Sequence, residues 1–218
     1  MTDARVAQMV TAVADQVLDY GVDASRLLVR ILRALAKGRP VTREQVTQIS
    51  AELGMDRLEA EGFLWDKTER DKEEAIVGIA GLSLNKHPHR LTVDGVRLST
   101  WCAEDALFLP QLLEREARVV SRSPVSGEII RLRVGPDGVK EVAPLGAVIS
   151  LALVDPERED MSSVEAIWNA FCRHIHFFAT REEAEVWVNG RDAIAVVSVE
   201  EGFSIGRQLW SKTLRYVG

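Results

Sequence analysis

The chain has 218 residues, is 46% hydrophobic and 28% charged, and sets 27 Lys and Arg against 33 Asp and Glu for a formal charge of −6. That length and composition are those of a soluble globular protein with core enough for one domain with appendages or two small ones, and the acidic balance argues against a general binder of polyanions. No run approaches the roughly 20 apolar residues of a membrane helix, and Met1-Thr2-Asp3-Ala4-Arg5 lacks the order of a secretory signal, so a cytoplasmic protein with no membrane partner is expected.

In chain order, Val6, Met9, Val10, Val13 and Val17 recur at helical spacing and predict a first helix over about 3–20, closed by Tyr20-Gly21. A second is expected over 25–37, with Ser25 as its cap and Gly38 and Pro40 beyond its end. Thr42 opens a third in capping-box fashion, and Gly54 ends it. Asp56 caps a fourth that turns Leu58, Ala60, Phe63 and Leu64 inward. Two strand-like pieces follow, 75–79 and 89–93, and helix, turn, helix, hairpin is the order of a winged helix. The basic excess of residues 26–57 is modest, and the helix that would enter a DNA groove carries Glu59, Glu61 and Asp66, so a structural or lid role is expected rather than nucleic-acid binding.

From about residue 94 the texture turns to short β-rich pieces. Residues 96–100 predict a strand running into a helix that begins near Cys102 and closes near Leu113. Residues 118–121, 128–134 and 139–142 alternate apolar and charged between Pro and Gly breaks, the pattern of a half-buried antiparallel sheet. Residues 147–154 suit a central strand, 164–170 a helical turn, 173–178 and 193–199 strands, and 182–188 and 202–216 helices. The expected class is α+β: a winged-helix-like helical domain over 1–90, and over 91–218 a domain with a mixed, mainly antiparallel sheet, flanking helices and both cysteines.

Those two cysteines, Cys102 and Cys172, are the only ones, and in a reducing compartment a structural disulfide is not expected. Asp105 follows Cys102 at i+3, which on a helix puts carboxylate and thiol on one face. A thiol at a helix N-terminus ionises more readily than a free one, so thiol and carboxylate form a candidate unit. The plainer reading makes Asp105 a cap and Cys102 a small buried hydrophobe. A pair of thiolates in an apolar hollow suits a soft d10 ion, although zinc asks for four ligands. His174 and His176 could add two, yet satisfied structural histidines are the expected reading.

Trp-Cys-Ala-x-Asp-x-Leu-x-x-Pro at Trp101 to Pro110 and Phe-Cys-x-His-x-His-Phe-Phe at Phe171 to Phe178 resemble the two signature segments of the alkylmercury (organomercurial) lyases. The similarity continues through 35–41, 117–121 and 195–199. The resemblance implies protonolysis of a carbon–mercury bond to a hydrocarbon and Hg(II) with no added cofactor. It places the catalytic residues on Cys102, Asp105 and Cys172, with mercury bound by the same three as substrate and product. It also implies small thiols or a mercuric reductase as acceptors of Hg(II), and an N-terminal winged-helix-like domain without a DNA role. The chain departs from the family at Pro124 and Arg173, where cysteines occur, and at Ser99, where a tyrosine is common; these bear on substrate range and affinity.

From the groups themselves, Asp105 takes a proton from one thiol, expected to be Cys102, as its thiolate attacks mercury. The second thiolate joins, and Asp105 returns the proton to the carbon. Trp101 and Phe177 are candidates for an apolar wall. Two readings compete: a soft-metal carrier or metal-responsive regulator that uses the cysteine pair without turnover, and a thiol redox enzyme, for which two cysteines 70 residues apart lack the C-x-x-C pattern.

Overall fold

The computed structural model describes residues 2–217; Met1 and Gly218, the outermost residues of the two expected domains, lie outside the described residues. Four helices come first, α1 (Thr2–Gln16), α2 (Gly21–Leu35), α3 (Arg43–Glu52) and α4 (Arg57–Trp65), followed by strands β1 (Thr68–Arg70), β2 (Ile76–Ile79), β3 (Leu82–Ser83), β4 (His89–Val93) and β5 (Val96–Thr100). Then come α5 (Asp105–Leu113), β6 (Ala117–Arg122), β7 (Ile129–Gly135), β8 (Gly138–Ala143), β9 (Val148–Ala152), α6 (Val164–Ala170), a 3-10 turn (Cys172–His174), β10 (Phe177–Phe178), α7 (Arg181–Val188), β11 (Ile194–Ser198), α8 (Val199–Leu209) and α9 (Ser211–Val217).

The local signals explain most of these boundaries. Thr42 accepts from the Gln45 backbone N–H while the Gln45 side chain accepts from the Thr42 N–H, a complete capping box for α3. Asp56 accepts from the N–H groups of Leu58 and Glu59 at 2.8 and 3.1 Å, closing the start of α4. Gly54 sits at φ +70, the left-handed turn that ends α3. Strand β6 reads buried and exposed in alternation, as its sequence pattern requires.

Four expectations are corrected. Ser25 lies inside α2 rather than at its cap, because its hydroxyl is buried 3.5 Å from the Thr213 hydroxyl of α9. Leu58 is exposed, in the first turn of α4, whereas Ala60 and Leu64 are fully buried. Strand β2 does not pair with β4: it lies between β1 and β3, and β1 is too short for alternation to reveal it. Residues 172–174 form a 3-10 turn instead of a strand, so only Phe177 and Phe178 of that predicted strand pair in the sheet.

All pairings between the named strands are antiparallel. Eight of them form one sheet in the order β1-β2-β3-β5-β4-β6-β7-β8, and β9 is the middle of a second, three-stranded sheet between β10 and β11. Helix α5 packs against α2, β7 and α8, and all nine of its residues are buried. Its burial on every side explains a sequence that, apart from Asp105 and Gln111, is apolar all round rather than striped.

Candidate active site

Three short segments converge at the start of α5. Strand β5 ends at Thr100, whose hydroxyl donates to the Cys102 carbonyl at 2.8 Å and folds the chain into a turn before the helix. The Trp101 N–H donates to the Gly81 carbonyl at 2.9 Å, tying that turn to the end of β2. The Ala103 N–H donates to the Ile175 carbonyl at 3.2 Å, which brings in the segment carrying Cys172. That segment is itself pinned by β9: Ser150 Oγ donates to the His174 carbonyl at 2.8 Å and accepts from the His176 N–H at 2.9 Å.

The outcome is that Cys102, Asp105 and Cys172, two of them 70 residues apart in sequence, place their sulfur and carboxylate atoms within 4.8 Å of one another. Both cysteines are free, and all three residues are buried. Asp105 Oδ2 accepts the Cys102 backbone N–H at 2.7 Å. Gly81 makes the closeness possible: a Cβ there would overlap the Asp105 carboxyl carbon, and its φ of +83 is one that L side chains rarely adopt.

Burial sets the charge states. It pushes the Asp105 carboxyl up to about 7, against the bonds from the Cys102 N–H and thiol and a more distant pull from His87. Burial also drives the Cys102 thiol well above its ordinary value, assisted by its hydrogen bond to Cys172 and by the Asp105 charge. The bond from Cys102 favours the thiolate on Cys172, but burial and Asp105 outweigh it and the Cys172 thiol is raised as well. This corrects the expectation of a readily ionised Cys102. The helix starts at Asp105, leaving the thiol outside its first turn, and loss of hydration outweighs the dipole. The carboxyl of Asp105 is the titratable group that stands beside both thiols.

A cavity of about 80 Å³ opens beside the three groups, lined by Cys172 and Asp105 and otherwise chiefly by apolar side chains. Val13, Val17, Leu18, Tyr20 and Leu28 come from α1, α2 and the turn between them; Trp101 and Phe108 flank the cysteine turn, and Phe171, Leu209 and Trp210 complete the wall. Phe108 and Trp210 stack with ring centroids 4.8 Å apart. Trp101 thus lies in the wall as expected, whereas Phe177 does not: it is fully buried against the His89 ring at 5.7 Å. Neither His174 nor His176 belongs to the cluster; His176 bonds the Arg173 carbonyl and packs edge-on against Trp187.

Sequence reasoning missed two residues here. Gly81 carries no signal in the sequence beyond that of a glycine between two strand-like pieces. Glu104 occupies the variable position of the Trp-Cys-Ala-x-Asp segment, yet it lines the cavity, is 1% exposed and has neither carboxylate oxygen in a hydrogen bond. Burial and the neighbouring Asp105 charge raise its carboxyl well above the ordinary range, against the opposing pull of the Gly206 backbone N–H. A second acidic residue next to Asp105, inside a run otherwise apolar, was the available signal.

A family model described as MerB, alkylmercury lyase, matches residues 82–211. The chain is 36% identical over 209 residues to an alkylmercury lyase of Streptomyces lividans, covering 95% of this chain and 93% of that one. It is 37% identical over 190 residues to the alkylmercury lyase of Pseudomonas putida, covering 86% and 84% of the two chains. Among solved structures it resembles the mercury-bound form of MerB2 with a TM-score of 0.75 at 20% identity, over 99% of this chain and 100% of that chain, a likeness of fold.

Proposed function

The chain belongs to the alkylmercury lyase family and cleaves carbon–mercury bonds of organomercurials, and we propose that it does so with Cys102, Asp105 and Cys172 acting as one unit. The single observation that carries this reading is the meeting of two thiols and one carboxyl within 4.8 Å, buried beside an apolar cavity.

The ionised Asp105 accepts the Cys102 proton as that sulfur bonds to the organomercury cation. Cys172 adds its sulfur and loses its own proton to solvent, making mercury three-coordinate. Thiolate donation raises electron density on the mercury-bound carbon; soft sulfur suits soft mercury far better than oxygen does. Asp105, protonated by the first step and held beside the reacting centre, delivers that proton to carbon as the carbon–mercury bond breaks. The products are a hydrocarbon and Hg(II) on two thiolates. Two thiol protons are spent, one on carbon and one released, so the cycle needs no redox partner and no added cofactor. Exchange onto small thiols or onto a mercuric reductase then frees the cysteines.

The N-terminal helices α1 and α2, with the turn between them, serve as the cover of the reaction cavity, since Val13, Val17, Tyr20 and Leu28 wall it. Replacing Asp105 with Ala tests the assignment against a carrier or regulator that only binds the metal. The variant should bind Hg(II) at two thiolates while methane release from methylmercury falls at least about 10³-fold, the size of loss expected for a general acid. Equal methane release by variant and parent protein would refute it.

A further inference from the structure

Among the polar side chains on the wall of the reaction cavity that the protonolysis does not use, which include Tyr20 and Lys67, two stand without a partner in hydrogen-bond geometry. Glu104 is 1% exposed and Trp101 5% exposed, both line the cavity, and neither the Glu104 carboxylate oxygens nor the Trp101 indole Nε1 has a hydrogen-bond partner. Buried polar groups without partners are rare in folded proteins, because each forfeits its hydration for nothing, and each calls for an explanation. Packing alone does not supply one for Glu104. Its Oε1 would lie 2.6 Å from a Cβ built on Gly206 and its Oε2 3.5 Å from one on Gly202. Two glycines one turn apart on α8 therefore leave the room in which the carboxyl sits, on a wall that Phe108, Leu209 and Trp210 also line. An apolar side chain at position 104 would fill the same space without the desolvation cost.

Resting on the lyase reading above, we propose that Glu104 is a specificity-determining residue: it receives a hydroxyl carried by the organic group of the substrate, with the Trp101 indole N–H as the complementary donor. A carboxyl oxygen accepts from a hydroxyl, and an indole N–H donates to one, so the two orphaned groups match the one substituent that both donates and accepts. Sulfur and Asp105 hold mercury at one end of the pocket, and the organic group extends along the apolar wall toward Glu104. The preferred substrates are then hydroxylated organomercurials rather than plain alkyls. Sites built to hydrogen-bond a substrate hydroxyl discriminate strongly against its absence, because the site's own polar groups are otherwise left unpaired.

The test compares kcat/KM for phenylmercury and 4-hydroxyphenylmercury, read as benzene and phenol release, in the parent protein, Glu104→Gln and Glu104→Leu. The electronic effect of the hydroxyl on the carbon–mercury bond is common to all three proteins and cancels in the ratio. The hydroxyphenyl-to-phenyl ratio should fall about tenfold or more in Glu104→Leu and be largely kept in Glu104→Gln, which retains an acceptor oxygen. A ratio that is the same in all three proteins overturns the proposal while the lyase reading stands on the benzene released. So does an equal loss on both substrates in both variants, the mark of a purely structural residue. Failure of the parent protein to release benzene would remove the lyase reading and the proposal with it.

Discussion

The Asp105 carboxylate accepts the backbone N–H of Cys102 at 2.7 Å while sitting within reach of both sulfurs, so the side chain that fixes the cysteine turn also stands beside the two thiols. The i+3 spacing that suggested a shared helical face is realised differently. Cys102 lies in the turn ahead of the helix, and the carboxylate folds back onto it.

Activity should carry an acid limb set by this carboxyl. Its ordinary value of 3.8 is raised by burial to about 7. Only the ionised form can accept the thiol proton, so kcat/KM should fall about tenfold per pH unit below 7 as the free enzyme becomes protonated there. Methane or benzene release followed from pH 5 to 8 checks it. A limb near pH 4 would show that the buried carboxyl is not the base.

Gly81→Ala should disable the site from outside it. A methyl group would collide with the Asp105 carboxyl, and the left-handed φ of +83 adds backbone strain. Strain of this kind costs on the order of 1–3 kcal/mol, and a displacement of about 1 Å can cost about 10²-fold in rate. Hydrocarbon release should therefore drop about 100-fold, with a smaller loss of stability in a urea titration. An active Gly81→Ala protein would mean that Asp105 has room to move.

Ser150→Ala should act on Cys172 through the backbone. Its hydroxyl is buried, donating to the His174 carbonyl and accepting from the His176 N–H. Removing it leaves a buried donor and acceptor unpaired, which costs about 1–3 kcal/mol. The turn holding Cys172 should loosen, weakening two-thiolate Hg(II) binding as well as lowering kcat, in contrast to Asp105→Ala, where binding persists. Hg(II) affinity by thiol competition separates the two.

His89 should make the fold acid-sensitive. The ring is 1% exposed, its Nδ1 lies 2.7 Å from Ser121 Oγ, and burial, with the His176 and His87 charges, lowers it from 6.5 to about 3. Between these values the unfolded chain binds a proton that the folded chain refuses. Its contribution is therefore full above pH 6.5 and is lost as pH falls toward 3, at about 1.4 kcal/mol per pH unit. Unfolding free energies measured from pH 7 to 4.5 should decline less steeply in His89→Leu than in the parent protein. Parallel curves would refute the assignment.

Much of this molecule is legible in its chain order because the governing interactions are local. The capping box at Thr42, the cap at Asp56, the left-handed Gly54 and the alternation of β6 are each decided within a few residues, and the two cysteine segments announce their chemistry by residue type and spacing. What only the tertiary structure decided is whatever depends on water being removed. Ser25, read as a cap, is an interior residue because Thr213 meets it from 188 positions away. The Cys102 thiol, expected to ionise easily, is instead raised well above its ordinary value, and Cys172 is raised with it, because the helices and strands packed around them exclude solvent. Glu104, one of many acids in the sequence, becomes singular only when α8 closes over it. Spacing can place a carboxylate beside a sulfur, but the free energy of charging either one belongs to the surroundings that the whole fold builds.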